Sequence, residues 1–254
     1  VGPDSDAHVY EPRPQDAAAM AEADVVLING LGFEGFLERL AQSSAPKVAP
    51  VELSNGAATL DMAKDDHSHE EPEHGHGGGI DPHAFQSVAN AQIYVRNIAD
   101  AFCKSDAANC DAYKANAGAY VAKLAALDVE IKAAVQSIPA DKRIVITSHD
   151  AFGYFAKAYG LTFHAPEGIS TESEASAADV AKLIDQIRDE NASAIFVETI
   201  SDPRLIEQIS KEAGVKVGGA LYSDALSGPD GPAATYIDMM RHNVMTIKGA
   251  ILGS

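Results

Sequence analysis

The sequence contains no tryptophan, only two cysteines, and few aromatic residues, 6% in all. So few cysteines exclude a disulfide-scaffolded fold, and an aliphatic core must hold the chain together. Positive charge is also scarce: 19 Lys and Arg stand against 37 Asp and Glu, a formal net charge of −18. Such a surface repels phosphate backbones and anionic membranes, so nucleic acid is an unsuitable partner and cations are suitable ones. No stretch approaches the ~18 apolar residues of a membrane span. No signal peptide is present, but Val1-Gly2-Pro3 is not a natural translation start, so the chain reads as processed or trimmed and that lack says nothing about compartment.

What is there is globular in character, with 46% apolar and 22% charged residues. At roughly 150 residues per domain, 254 residues make one large domain or two lobes. Cys103 and Cys110 fit neither a zinc ribbon nor a thioredoxin-like pair. Their polar, turn-like surroundings suit a local disulfide in an oxidising compartment; two buried thiols are the alternative.

Strand and helix patterns alternate along most of the chain. Asp24–Asn29 reads as a buried strand, preceded by a helix that Asp16 would cap. Phe33, Phe36, Leu37 and Leu40 recur at helical spacing, and Lys47–Val51 is a second short strand. Residues 61–79 carry no apolar periodicity and read as a mobile loop rich in His, Glu and Gly. Asp81-Pro82 then predicts a helix start, with Asp81 as cap and the helix reaching about Phe102. From Asp106 to Ile138 one apolar stripe runs through Tyr113, Tyr120, Leu124, Leu127, Ile131 and Val135. A helix of that length is roughly 45 Å long, enough to join two lobes. After Pro139 the alternation resumes, with strands at 143–147, 161–164, 194–197 and 215–221 and helices at 151–159, 175–189, 203–213 and 235–247.

Nine histidines carry most of the chemical signal. His149 follows the strand RIVITS and Asp224 follows the last strand, at the carboxyl ends where open α/β sheets bind ligands. His83 falls in the first turn of its predicted helix, where the helix dipole keeps imidazole neutral and available to a metal. His8 lies in the turn-like DAHVYEP. Singly, each is an ordinary surface or capping residue. Together, three imidazoles and one carboxylate form a tetrahedral zinc set. His67, His69, His74 and His76 alternate with acids in the loop and suit loose capture of divalent metal, or are incidental to a solvated segment. Glu198 ends the strand AIFVE, where it would orient a ligand histidine or cap the next helix. His164 and His242 read as ordinary surface or core residues.

The segments GPDSDAHVYEPRPQD, the His-rich loop, GIDPHAFQSVANA, ITSHDAFGYFAKAYGL, IFVETISDPRLIEQI and LYSDALSGPDGPAATYIDMMRHNV occur in this order. Over almost the whole chain they resemble the zinc-binding subgroup of the cluster A-I metal solute-binding proteins of bacterial ABC importers. The resemblance implies two α/β lobes with parallel sheets flanked by helices, joined by one long rigid helix, with the metal between them. The lobes would be residues 1–105 and 139–254, with the linking helix at 106–138. It implies His8, His83, His149 and Asp224 as the four ligands. Manganese and iron members tend to place a carboxylate at the third position, so His149 favours zinc. The His-rich loop is likewise a feature of the zinc subgroup. Members usually carry a further strand and helix ahead of GPDSDAH. Either the sequence omits that segment, or the first lobe lacks a strand, which would expose a sheet edge and loosen the loop carrying His8.

The function so implied is a monomeric periplasmic Zn²⁺ carrier that docks on a membrane permease, with release by local loop movement around His8 or Asp224. A periplasmic zinc donor protein is a further expected partner. A zinc buffer or chaperone without a permease would use the same ligands. A zinc hydrolase needs an open metal position and a base such as Asp150 or Glu198, and no HExxH pair is present. Affinity is expected to fall below pH ~6.5, where histidines protonate.

Overall fold

A computed structural model gives the fold, and the description covers residues 2–62 and 79–253. His67, His69, His74 and His76 lie outside the described residues. Helix α1 (Pro14–Glu22) opens on a proline, whose missing N–H costs nothing in a first turn. Asp16 caps it from inside, accepting the Arg13 N–H at 2.7 Å, so the helix begins two residues before the expected cap. Strand β1 (Leu27–Ile28) pairs in parallel with β2 (Val51–Glu52), with α2 (Leu37–Ser44) between them. The expected runs 24–29 and 47–51 thus contract to two-residue ladders.

The predicted helix start at Asp81-Pro82 is not where the helix forms. A single 3-10 turn (Ala84–Gln86) comes first, and α3 (Val88–Ser105) begins after Ser87. The reason is local: the Asp81 carboxylate accepts the N–H of His83 at 2.9 Å, closing a side-chain turn in place of a helical one. Helix α4 (Cys110–Gln136) follows, and its 27 residues span about 40 Å. A disulfide joins Cys103 near the end of α3 to Cys110, the first residue of α4.

The second lobe is built from β3 (Ile144–Ile146), α5 (Gly153–Tyr159), β4 (Thr162–His164), α6 (Ala177–Asp189), β5 (Ala194–Glu198), α7 (Pro203–Ala213), β6 (Val217–Leu221) and α8 (Tyr236–Leu252). Its sheet is wholly parallel, in the order β4-β3-β5-β6. After β4 the chain returns to the other side of β3, so the strand order reverses between β3 and β5. A crevice at such a reversal, beyond the strand ends, is the usual ligand position in this architecture.

Among the described residues, three apolar clusters hold the molecule. One, including Ile146, Ile184, Ile195 and Ile206, fills the space under α6 and α7. A small one around Ala84, Tyr94 and Tyr154 supports the first lobe. The largest runs from Val88 of α3 through Leu124, Leu127, Ile131 and Val135 of α4 to Phe152, Phe196 and Met240. That core is continuous from α3 to the second sheet, so α4 is packed along its second half and not a free connector. Among the described residues, no helix is long and apolar enough to cross a membrane.

Candidate metal centre

Four side chains meet in the crevice between the lobes: His8, His83, His149 and Asp224. Each comes from a different segment. His8 precedes α1. His83 sits ahead of the 3-10 turn. His149 lies beyond β3 and Asp224 beyond β6. One donor atom from each falls within 4.8 Å of all the others. The Nε2 atoms of His8 and His83 are 3.3 Å apart. Asp224 Oδ2 lies 3.0 Å from Nε2 of His149 and 3.4 Å from that of His8; its Oδ1 lies 3.6 Å from that of His83. A tetrahedral ion with ligand bonds of about 2.0–2.1 Å has edges of about 3.3–3.4 Å. These four separations lie around that value, and with all four donors within 4.8 Å of one another the set suits a divalent ion in donor chemistry.

The surroundings fix which nitrogen faces inward. The Asp81 carboxylate has no proton to give, so at 2.8 Å from Nδ1 of His83 it accepts the Nδ1–H and leaves the Nε2 lone pair for the centre. Oε2 of Glu198 lies 2.7 Å from Nδ1 of His149, a close charge contact that favours a proton on that nitrogen. The other oxygen, Oε1, accepts the backbone N–H groups of Ser148 and His149 at 2.8 and 2.9 Å. Glu198 thus contacts both the ring and the backbone of one candidate ligand. Phe33 closes one side, its ring 5.1 Å from that of His8 and 5.8 Å from that of His83.

His83 and His149 are fully buried, as is the Asp224 side chain, and His8 is 6% exposed. Within the His8 segment, Asp6 Oδ1 accepts the His8 N–H at 2.8 Å. The expected neutrality of His83 needs correction. It precedes α3 by five residues, so that helix's dipole does not govern it. Burial works to lower its pKa, but the Asp224 carboxylate and the hydrogen bonds to Asp224 and Asp81 outweigh burial and raise it to about 9. Burial likewise opposes charge on His149, yet Glu198 and Asp224 raise it well above the usual histidine value. Burial would raise Asp224, but His83 and His149 hold it far below the usual carboxylate range. In the metal-free protein, protons on His83 and His149 balance the Asp224 carboxylate, and a metal must displace them.

Several supporting residues escaped the sequence reading. Gln86 donates to the Ser223 carbonyl at 2.7 Å, tying the first lobe to the segment that carries Asp224. Asn243 of α8 clamps Tyr222 on the same segment, accepting its N–H at 2.9 Å and donating to its carbonyl at 2.7 Å. An asparagine on the buried face of an apolar helix was the available signal. Tyr154 donates to the Asp81 carbonyl at 2.7 Å. His164 pairs with Glu190 at 2.8 Å, and His242 lies 3.0 Å from the Ala220 carbonyl oxygen. Both have the ordinary roles expected of them.

Residues 1–250 match the family model described as zinc-uptake complex component A, periplasmic (ZnuA). The manganese-binding lipoprotein MntA of Halalkalibacterium halodurans is 34% identical over 244 residues, 96% of this chain and 77% of that protein. The iron-binding protein YfeA of Yersinia pestis is 34% identical over 245 residues, 96% of this chain and 76% of that one. Among solved structures, the periplasmic zinc-binding protein TroA from Treponema pallidum superposes with a TM-score of 0.88 at 29% identity, covering 99% of this chain and 89% of TroA.

Proposed function

This chain belongs to the ZnuA family of metal solute-binding proteins of ABC importers, and we propose that within it the chain is a high-affinity periplasmic zinc carrier. His8, His83, His149 and Asp224 hold one Zn²⁺ as cargo and surrender it to a membrane permease. The carrying observation is the convergence of three imidazole nitrogens and one carboxylate within 4.8 Å at a buried site. A nitrogen-rich, four-donor set suits zinc, whereas manganese prefers more oxygen donors and a larger shell. Because the protein itself supplies all four donors, no position remains for an attacking water. That favours carriage over hydrolysis.

Manganese or iron is the second reading, and MntA and YfeA favour it by what they are named for binding. Simple competition does not separate the readings, because most nitrogen and oxygen sites bind zinc more tightly than manganese or iron(II). Transport does. Cells lacking this protein are expected to lose zinc accumulation at low external zinc while keeping manganese and iron. Wild-type chain restores it and His149→Ala does not. Loss of manganese or iron accumulation instead would overturn the zinc reading.

A further inference from the structure

The segment between β4 and α6 touches both halves of the metal centre. On its own lobe it is tied to the His149 segment: Glu167 N–H donates to the Ser148 carbonyl at 3.3 Å, and Asp150 N–H donates to the Gly168 carbonyl at 3.1 Å. Four residues after Glu167, Thr171 reaches the other lobe, and its hydroxyl donates to Oδ2 of Asp6 at 2.6 Å. Asp6 is the residue whose Oδ1 holds the backbone of His8. One carboxylate thus joins the loop of one lobe to the ligand of the other. The loop also seats closely there, since a Cβ built on Gly35 would stand 3.5 Å from both the His8 carbonyl oxygen and the Glu172 carboxylate. A cleft of about 730 Å³ lies against the loop, lined by Glu167, Gly168, Ser170 and Glu174 among others and by residues of α6. The loop therefore has room to withdraw without repacking the core.

We propose that Thr171 and Asp6 form a latch that sets the rate of metal release. While the hydroxyl holds Asp6, Asp6 holds His8 against the other three donors. When the loop withdraws, Asp6 is freed, His8 swings out, and the ion is left with three donors. Thr171 and Asp6 are positioning residues that do not touch the metal. This rests on the metal-site reading above and adds to it which contact must break first. Both partners are only half-buried, and the loop residues after Thr171 are exposed, so substitution there does not threaten folding.

The test uses the full chain loaded with Zn²⁺, with release followed by stopped flow into excess chelator. A parallel sample loaded with Co²⁺ reports the ligand set by its visible spectrum. Thr171→Val keeps the shape and removes the donor. It is expected to release metal roughly tenfold faster, the scale of one hydrogen bond to a charged acceptor, with the cobalt spectrum unchanged. Thr171→Ser, which keeps the hydroxyl, is expected to restore slow release. Wild-type release from Thr171→Val overturns the latch, as does failure of Thr171→Ser to restore it. An altered cobalt spectrum in Thr171→Val also overturns it, because the substitution then acts by distorting the ligands. Metal that stays bound in His149→Ala overturns the metal-site reading itself, and the latch with it.

Discussion

One carboxylate grips His149 twice. Oε2 of Glu198 lies 2.7 Å from the ring Nδ1, and Oε1 accepts the backbone N–H of the same residue at 2.9 Å. The ring and its backbone are therefore positioned by a single rigid group at the end of β5. Glu198→Gln keeps an acceptor for the backbone, but turns an amide N–H toward Nδ1. The ring then favours the tautomer with its proton on Nε2, where the metal lone pair is needed. Metal affinity is expected to fall about 10–100-fold, measured by chelator competition, with little change in melting temperature.

The pKa of His83 makes binding and stability respond to pH in opposite directions. Its folded value is about 9, above the ordinary value of about 6.5. A histidine raised in this way stabilises the metal-free fold fully below pH ~6.5, and the contribution disappears as pH rises through about 9. Metal binding must expel that proton. Affinity is therefore expected to decline as pH falls below about 9, by up to about tenfold per unit per proton, and not only below 6.5 as the sequence suggests. Titrations between pH 6 and 9.5 check this: metal-free melting temperature should drop towards the alkaline end while affinity climbs. An affinity flat from pH 9 down to 7 would contradict it.

Gly153 opens α5 beside Asp81, and a Cβ there would lie 2.9 Å from Asp81 Oδ2. Alanine is the better helix former by up to about 1 kcal/mol, so Gly153→Ala is not expected to unfold the protein. It displaces the carboxylate that orients His83. The expected outcome is weaker metal binding at unchanged or higher melting temperature of the metal-free chain. Unaltered affinity would show that Asp81 shifts freely.

The Cys103–Cys110 disulfide closes a short loop, with a sequence separation of 7. By loop entropy it contributes roughly 2–3 kcal/mol, or about 5–10 °C in a chain of this size. Cys103→Ser with Cys110→Ser is expected to lower the melting temperature by that amount. The metal centre draws none of its donors from this helical hairpin, so affinity should stay as it is.

Local signals wrote some elements plainly into the sequence and left others out. Helix α7 was readable to the residue, because Asp202-Pro203 opens it and Gly214, at φ +75°, closes it. The same Asp-Pro signal at Asp81 misled, because the carboxylate is committed to His83 rather than to a helix end. The short ladders of β1 and β2 depend on pairing partners that a hydrophobic run cannot specify. The four candidate ligands were grouped from their places at strand and helix ends, and the family resemblance implied the same four; no local pattern joins His8 to Asp224, which lie at opposite ends of the chain. The latch between Asp6 and Thr171, 165 residues apart, carried no local mark at all.

Helix α4 has a consequence for the partner. Among the described residues the chain passes from the first sheet to the second through α3 and this helix, and the core packs the helix's second half against α3 and the second lobe. Such a molecule has no jaws. Its loaded and empty outlines should nearly coincide, and a permease that recognised the carrier by silhouette would dock empty molecules as readily as full ones. Discrimination must then come from the small patch of loop above the ion, or be left to the relative abundance of the two forms.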